Sequence, residues 1–530
     1  MKPAARAGTA GNGGSLTAHV SWLMVAKTAG YIFNLALPIL VVRRLNLVQF
    51  GIYKQLFLMI ATSVAVLQLG FGMSAYFFLP REPDRRPEVI FNICAFNTLI
   101  GGLACGTLIL FPSLLGLTFD QPALARYGPL MGLVILLWML ASPLEIIPIA
   151  SGEMKLASAM IVSVQLTRTA MYLGAVIVFG TVRALMYAAV VQGVLQTGVL
   201  GWYLQSRFRG FWRRLDTGLL RHQLSYALPL GLAGILYTVQ TDLHNYFVSN
   251  RLGAAAFGLY AIGTLQLPLT TLLQEATNAV LIPRVSYLQH LNDTRAIVSL
   301  IARAARKLAA VYFPIYALLI GVAPELISFF FTRRFLASVP VFRINLTLLL
   351  VSILLQDPLF RAYESQRFFL VRLRIFTCTL LVAGLWFGTT RFGPVGAITV
   401  VVAVNVIERA ITAVRFGHIL GVGWQDIGLL KDVMKLGIAA AAALLVTAAV
   451  RVSLAGARPL ITLLVCGAVF SLVYLAFVMF EGVPTTEEKE LVLAQARSLL
   501  RLPPRLPKPG PAPESRDSES VPPPPPRVSA

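Results

Sequence analysis

Residues 223–260 read QLSYALPLGLAGILYTVQTDLHNYFVSNRLGAAAFGLY, and an apolar run of about 20 residues follows, ending at Pro283-Arg284. Within this stretch Arg251-Leu252, Phe257-Gly258 and Tyr260 spell R-L-x4-F-G-x-Y. The pattern has a twin near the start of the chain: RLNLVQFGIY, with Arg44-Leu45, Phe50-Gly51 and Tyr53 at the same spacings. Leu, Phe and Gly coincide easily in an apolar chain, whereas an Arg and a Tyr kept in register are less easily matched by chance. The repeat predicts a duplication, two halves that each open with a long helix, a tight polar turn and a second long helix.

Composition sets the class. The chain has 530 residues, 57% hydrophobic and 13% charged, with a mean hydropathy of +0.74, which excludes an ordinary soluble globular protein. Apolar residues fall in blocks of about 20, long enough to cross a bilayer core as helices. A net charge of +22 would suggest nucleic acid in a soluble chain; here it reads as loop Lys and Arg facing anionic headgroups. Cys94, Cys105, Cys378 and Cys466 lie inside apolar blocks without paired spacing, as packing residues rather than a metal site or disulfide frame. Residues 1–18 are polar and Gly-rich, and the run after them is too long for a signal peptide, so it is expected to be the first anchor.

The expected fold is an all-α integral membrane protein of about 14 transmembrane helices. It comprises two pseudo-symmetric six-helix lobes around a central cleft, plus an extra C-terminal helix pair. The expected organisation is a flexible cytoplasmic N-terminus (1–18), an N-lobe of six spans (19–204), a basic linker (205–222) and a C-lobe of six spans (223–416). The added pair occupies 434–480, an amphipathic surface helix 485–502, and a Pro-rich tail expected to be disordered 503–530. Single spans are expected at 89–112, 256–281 and 304–331. With both termini cytoplasmic, roughly 30 Lys and Arg fall on the inner side and about 10 on the outer, as the positive-inside rule requires. Six spans per half insert both repeats the same way, so their relating axis should run along the membrane normal.

Ionisable groups inside hydrocarbon are costly and are therefore the first functional candidates. Arg168 lies mid-span, sharing a helix face with Gln165, Thr169 and Tyr172, and no acid shares its span. It is either a ligand for an anion or a structural pin. Lys27, Tyr31 and Asn34 form a second stripe, with snorkelling of Lys27 as the rival reading; at Lys54 snorkelling is the preferred reading. The opening helix of the second half carries Thr238, Thr241, Asp242 and Asn245 on one face with His244 beside it. Thr241 falls opposite Asn34 and Thr238 opposite Tyr31 in the repeat, so both lead helices are expected to line one cleft. For Asp242 a solvated helix end is the structural alternative. Glu145, Glu275, Asp357 and Glu408 are acids that could couple transport to an ion gradient, or could neutralise nearby arginines.

Several chemistries are absent from the sequence. It has no G-x-x-x-x-G-K-[ST] phosphate loop, no H-E-x-x-H helix and no Cys/His cluster, so no cofactor or metal is expected. No loop is long enough to fold a catalytic domain, which argues against an enzyme.

The arrangement of a span, R-L-x4-F-G-x-Y and a second span resembles the opening of Wzx-type polysaccharide flippases of the multidrug/oligosaccharidyl-lipid/polysaccharide (MOP) exporter superfamily. The middle stretch, LPLGLAGILYTVQTDLHNYFVSNRLGAAAFGLYA with Pro283 after the eighth span, is more similar still. Where that family often has a basic residue after the aspartate, this chain has Leu243-His244, which weakens any role carried over to Asp242. The resemblance covers about residues 20–415. It implies alternating access by two lobes in the bacterial inner membrane, carrying a lipid-linked oligosaccharide from the cytoplasmic to the periplasmic leaflet for polysaccharide biosynthesis. Membrane lipids and a polysaccharide polymerase or export machinery are the implied partners, and no nucleic acid. The extra helix pair is similar to that of peptidoglycan-precursor flippases and of some exopolysaccharide flippases. A cationic, hydrogen-bonding cleft suits a pyrophosphate-linked sugar, with Arg168 and Lys27 as charge partners. A drug/cation antiporter of the same superfamily would instead favour acidic cleft residues.

Overall fold

The computed structural model describes residues 28, 30, 32, 33, 35–213 and 215–482. Lys27, Tyr31 and Asn34, the N-terminal segment 1–18, the expected surface helix 485–502 and the tail 503–530 lie outside the described residues. The chain divides into two units, Met1–Leu475 and Ala476–Ala530. Of the second, the described part is the end of the last helix and the two residues after it.

The described residues are helices joined by short turns, without strands. Helix α1 (Leu47–Leu67) begins at a reciprocal cap: the Gln49 amide donates to Asn46 Oδ1 (2.8 Å) and the Asn46 amide to Gln49 Oε1 (3.2 Å). After it come α2 (Ser74–Arg81), α3 (Arg86–Leu110), α4 (Ser113–Phe119), α5 (Gly128–Ala141), α6 (Pro143–Ala150), α7 (Met154–Phe179) and α8 (Val182–Arg207). The second half opens with α9 (Thr217–Gly263), which is two helices folded across Gly253 at φ 77°. His244 and Tyr260 touch across that turn, which only a hairpin permits. Next are α10 (Pro268–His290), α11 (Thr294–Gly321), α12 (Ala323–Phe331), α13 (Val339–Val351), α14 (Asp357–Ala362) and α15 (Arg367–Leu420), a second hairpin turned at Gly393. The added pair is α16 (Lys431–Ser453) and α17 (Pro459–Phe480).

The order of elements repeats. An offset of 207 residues at the twin turns (Gly51 to Gly258) becomes 211 at the short 3-10 helices Pro122–Tyr127 and Arg333–Ser338. It becomes 213 at the hairpin glycines Gly180 and Gly393, both at φ 58°. The expected span 89–112 is the intact α3, after which Phe111-Pro112 leads into the short α4; at the matching place in the second half the expected span 304–331 is broken, where α11 meets α12 at a bend of 77° beside Pro324. Proline supplies no N–H to the ladder and pushes the residue before it out of the helix.

The eighth span also departs from its expected form. It is interrupted at residues 264–267, where Leu267 is extended (ψ 118°) ahead of Pro268, and Pro283 lies inside α10 rather than after the span. With each hairpin counted as two crossings and each bent pair joined, the described helices are consistent with the expected fourteen crossings. The exterior fits a bilayer. Leu110, Leu117 and Val452 are more than 70% exposed, which lipid tolerates and water would not over so large a surface.

The halves meet along α1 and the first arm of α9, which run antiparallel. Down this seam Gly51 meets Ala254, Gln55 Nε2 donates to Ser249 Oγ (2.8 Å), Thr62 Oγ1 donates to Asp242 Oδ2 (3.0 Å), and Gly70 meets Gly231. Small residues let the backbones close at each end, and buried polar pairs fix the register between them. The added α16 is held to the second half by Arg451 Nε to Glu325 Oε1 (2.8 Å) and by Arg306 to Asp432 (3.9 Å).

Candidate functional site

Two polar sites flank the seam, one in each half. In the first half α7 carries Arg168 half-buried in the bundle, and its guanidinium lies 5.6 Å from the Trp138 ring centre and 5.8 Å from that of Tyr172. From α1, Lys54 places its ammonium 5.7 Å from the Phe50 ring and 5.8 Å from the Tyr53 ring. Arg168 acts electrostatically on Lys54, Tyr53 and Tyr172. Phe57 packs between these groups, 4.9 Å from Tyr53 and 5.5 Å from Tyr172. The result is two cations on an aromatic wall, with no salt bridge to a carboxylate among the described residues. Gln165 Oε1, Arg168 Nε, Tyr172 OH and Trp138 Nε1 are buried without a hydrogen-bond partner among the described residues. Gln165 borders Gly30, on which a Cβ would stand 3.3 Å from Gln165 Cγ.

Like charges at close range in a low dielectric repel strongly, and unpartnered buried polar atoms each cost stability. Such a cluster is suited to an anion with several acceptor oxygens: guanidinium and ammonium supply charge, while Tyr and Trp supply donors. Sequence reading placed Gln165, Arg168 and Tyr172 on one face, and the structure brings them together. It missed Trp138, and it read Lys54 as snorkelling at the turn, whereas the side chain is half-buried and reaches toward the Arg168 cluster. Position along a span gives depth but not direction, which explains the miss.

In the second half a cavity of about 510 Å³ opens among α9, the broken segment 264–267, α10, α13 and α15. Interrupted helices of this kind expose backbone carbonyls and amides where they line a cavity. Asp242 and Thr241 line it, though the Asp242 carboxylate is engaged by Thr62 and the Thr241 hydroxyl donates to the Tyr237 carbonyl (2.9 Å). Thr238 is half-buried and is not among the lining residues. His244 accepts or donates to the Tyr260 hydroxyl (2.8 Å), which ties it to the hairpin.

The acids separate into two groups. Glu408 and Asp357 both line the cavity, near Arg409. Gln240 Nε2 donates to Glu408 Oε2 (2.9 Å), Arg374 donates to Gln240 Oε1, and Asn278 Nδ2 donates to Asp357 Oδ2 (3.1 Å). Glu145 is exposed on α6, acting on Tyr76, and Glu275 lies on α10 outside the lining. Gln240 and Arg374 were not singled out from sequence, because Arg374 reads as one more basic residue at a span end.

The fold is that of a polytopic helical membrane protein of the MOP transporter architecture. The fold is similar to that of the structure titled "Lipid II flippase MurJ, inward closed conformation": TM-score 0.61 at 14% identity, over 84% of this chain and 97% of that one. It is also similar to a MOP superfamily transporter from Pyrococcus furiosus (TM-score 0.55, 14% identity, 76% and 95% covered). An outward-facing multidrug resistance MATE family transporter gives a TM-score of 0.52 at 14% identity, with 76% and 95% covered. No curated protein sequence matches the chain. The profile of the family described as "Polysaccharide biosynthesis protein" matches residues 39–340, and the chain belongs to that family.

Proposed function

We propose that this chain flips a polyprenyl-pyrophosphate-linked oligosaccharide from the cytoplasmic to the periplasmic leaflet of a bacterial inner membrane by alternating access, with both termini cytoplasmic. The observation that carries the reading is the pairing of Arg168 and Lys54 against Tyr53, Trp138 and Tyr172 with no carboxylate partner among the described residues. A pyrophosphate supplies the missing negative charge, and ring faces and hydroxyls suit sugars. Lys27, Tyr31 and Asn34, outside the described residues, and Thr238, Thr241 and Asp242 of the second half are proposed as further substrate contacts. Asp357 and Glu408 are the acids placed to couple the cycle to an ion, and Glu145 and Glu275 stand apart from them. Family membership supports a role in polysaccharide biosynthesis, and a polymerase and export machinery are the partners proposed with it.

Two other readings stay within the same fold. A peptidoglycan-precursor flippase is favoured by the fold likeness to the lipid II flippase structure. A drug/cation antiporter would need uncompensated carboxylates in its cavity, whereas Glu408 and Asp357 share theirs with Arg374 and Arg409. Reconstitution into vesicles with a fluorescent polyprenyl-pyrophosphate oligosaccharide tests the proposal. Protein-dependent loss of label protection supports it, and export of a cationic dye without movement of the lipid-linked sugar overturns it.

A further inference from the structure

The two hairpins related by the duplication, α7–α8 and the arms of α15, close differently. In α15 the arms are zipped below Gly393. A Cβ on Gly388 would stand 2.9 Å from the Gly396 carbonyl oxygen, and one on Gly384 would stand 2.6 Å from Val400 Cγ1. Shifting by the 213-residue offset of the hairpin glycines places Met171, Ala175, Arg183 and Tyr187 at the positions of Gly384, Gly388, Gly396 and Val400. Those four larger residues line an apolar groove of about 580 Å³ between α7 and α8. The groove lies where the first repeat carries these larger residues and the second has Gly384, Gly388 and Gly396 in close contact across the arms.

We propose that this groove is a binding site for a membrane phospholipid with an anionic headgroup. One acyl chain lies along the α7–α8 groove and the phosphate meets Arg183 at its lip. The lining is apolar from Met171 to Phe179, as a hydrocarbon chain requires. Arg183 stands three residues past the hairpin glycine, at the end of both spans, which is headgroup depth. It is exposed and has no acidic partner among the described residues, so the lip carries an uncompensated positive charge. The Thr181 hydroxyl beside it accepts the Ala184 amide (3.2 Å) and keeps its own proton free to donate to a phosphate oxygen.

Native mass spectrometry of the full-length protein in mild detergent, titrated with dioleoyl-phosphatidylglycerol, tests the site. One tightly retained lipid is expected, with dioleoyl-phosphatidylethanolamine retained less. Arg183→Gln should lower phosphatidylglycerol occupancy at least fivefold. Gly174→Phe should remove it by filling the groove, and it should fold normally, since a Cβ at Gly174 meets nothing within 4 Å. Equal occupancy in wild type and both variants would overturn the proposal. So would preferential retention of undecaprenyl phosphate, which would assign the groove to a substrate tail, or a doubled mass with no lipid, which would assign it to a second copy.

Discussion

Gly258 packs face to face with Gly51: a Cβ added to Gly258 would stand 3.3 Å from the Gly51 Cα and 3.1 Å from the Leu47 carbonyl oxygen, and one added to Gly51 would overlap the Ala254 carbonyl. Leu47 and Ala254, like the two glycines, are 207 residues apart, so the contact is self-complementary across the two halves. Arg43 donates to the Phe329 carbonyl (3.1 Å) and its counterpart Asn250 to the Thr118 carbonyl (3.0 Å), repeating the same exchange. The motif found twice in the sequence is thus one joint seen from both sides.

Gly51→Ala should destabilise the protein more than Gly258→Ala: both methyls meet backbone, which cannot rotate away, but that of Gly51 would overlap the Ala254 carbonyl whereas that of Gly258 would stand 3.1 Å from the Leu47 carbonyl oxygen. Overpacking of this kind costs about 1–3 kcal/mol. Thermal melting of the purified variants in detergent reads the order, and wild-type melting of Gly51→Ala would contradict the packing.

Arg168→Ala and Lys54→Ala should each reduce surface glycan at least tenfold at unchanged protein level, in a strain lacking its own transporter. Arg168→Lys should recover part of the activity, because an ammonium keeps the charge and loses the planar fork that grips two phosphate oxygens. Full export by well-expressed Arg168→Ala would remove it from the substrate path. Loss of protein rather than of export would make it a structural pin.

Asp216 caps the helix that opens the second half, accepting the Leu219 amide (2.9 Å), and it pairs with Arg85 of the first half. The amide of Leu219 above all, and then Arg85, hold its carboxyl below the ordinary 3.8. A depressed folded value contributes stability that is fully present above 3.8 and is lost as pH falls below it. Asp216→Asn keeps a good cap and removes the charge. The melting difference from wild type should be constant between pH 7 and 5 and shrink in more acid solution. A difference that grows on acidification would refute the assignment.

The ion pair of Glu325 with Arg451 ties α16 to α12. Both side chains are partly exposed, so a double-mutant cycle on Glu325→Gln and Arg451→Gln should give a coupling of about 1 kcal/mol. Additive effects would show that apolar packing alone holds the added pair.

In the second-half cavity Arg374, Gln240 and Glu408 form one chain of donors and acceptors. Arg374→Ala and Glu408→Gln should therefore be non-additive, with a coupling of 0.5–3 kcal/mol as is usual for members of one network. Strict additivity in melting would separate the two residues.

The class, the helical architecture and the duplication were legible from hydropathy and the repeated R-L-x4-F-G-x-Y, because a bilayer demands about 20 apolar residues per crossing whatever the neighbours are. The polar stripe of Gln165, Arg168 and Tyr172 was legible too, since helical periodicity alone puts these residues on one face. Breaks at Pro112, Pro268 and Pro324 were signalled by proline, yet a proline kinks some helices and ends others.

Sequence by itself determined that the chain crosses the membrane many times in two related halves and carries cations where hydrocarbon should exclude them. Only the tertiary structure decided which residues those cations face: Lys54 and Trp138 join Arg168, Gln240 joins Arg374 and Glu408, and Asp242 is taken by Thr62. It also decided that one hairpin zips and its twin stands open. Burial and depth are properties of single segments, set by transfer into lipid. Partnership depends on the register between helices distant in sequence, which small residues such as Gly51 and Gly258 set by how closely they let backbones approach.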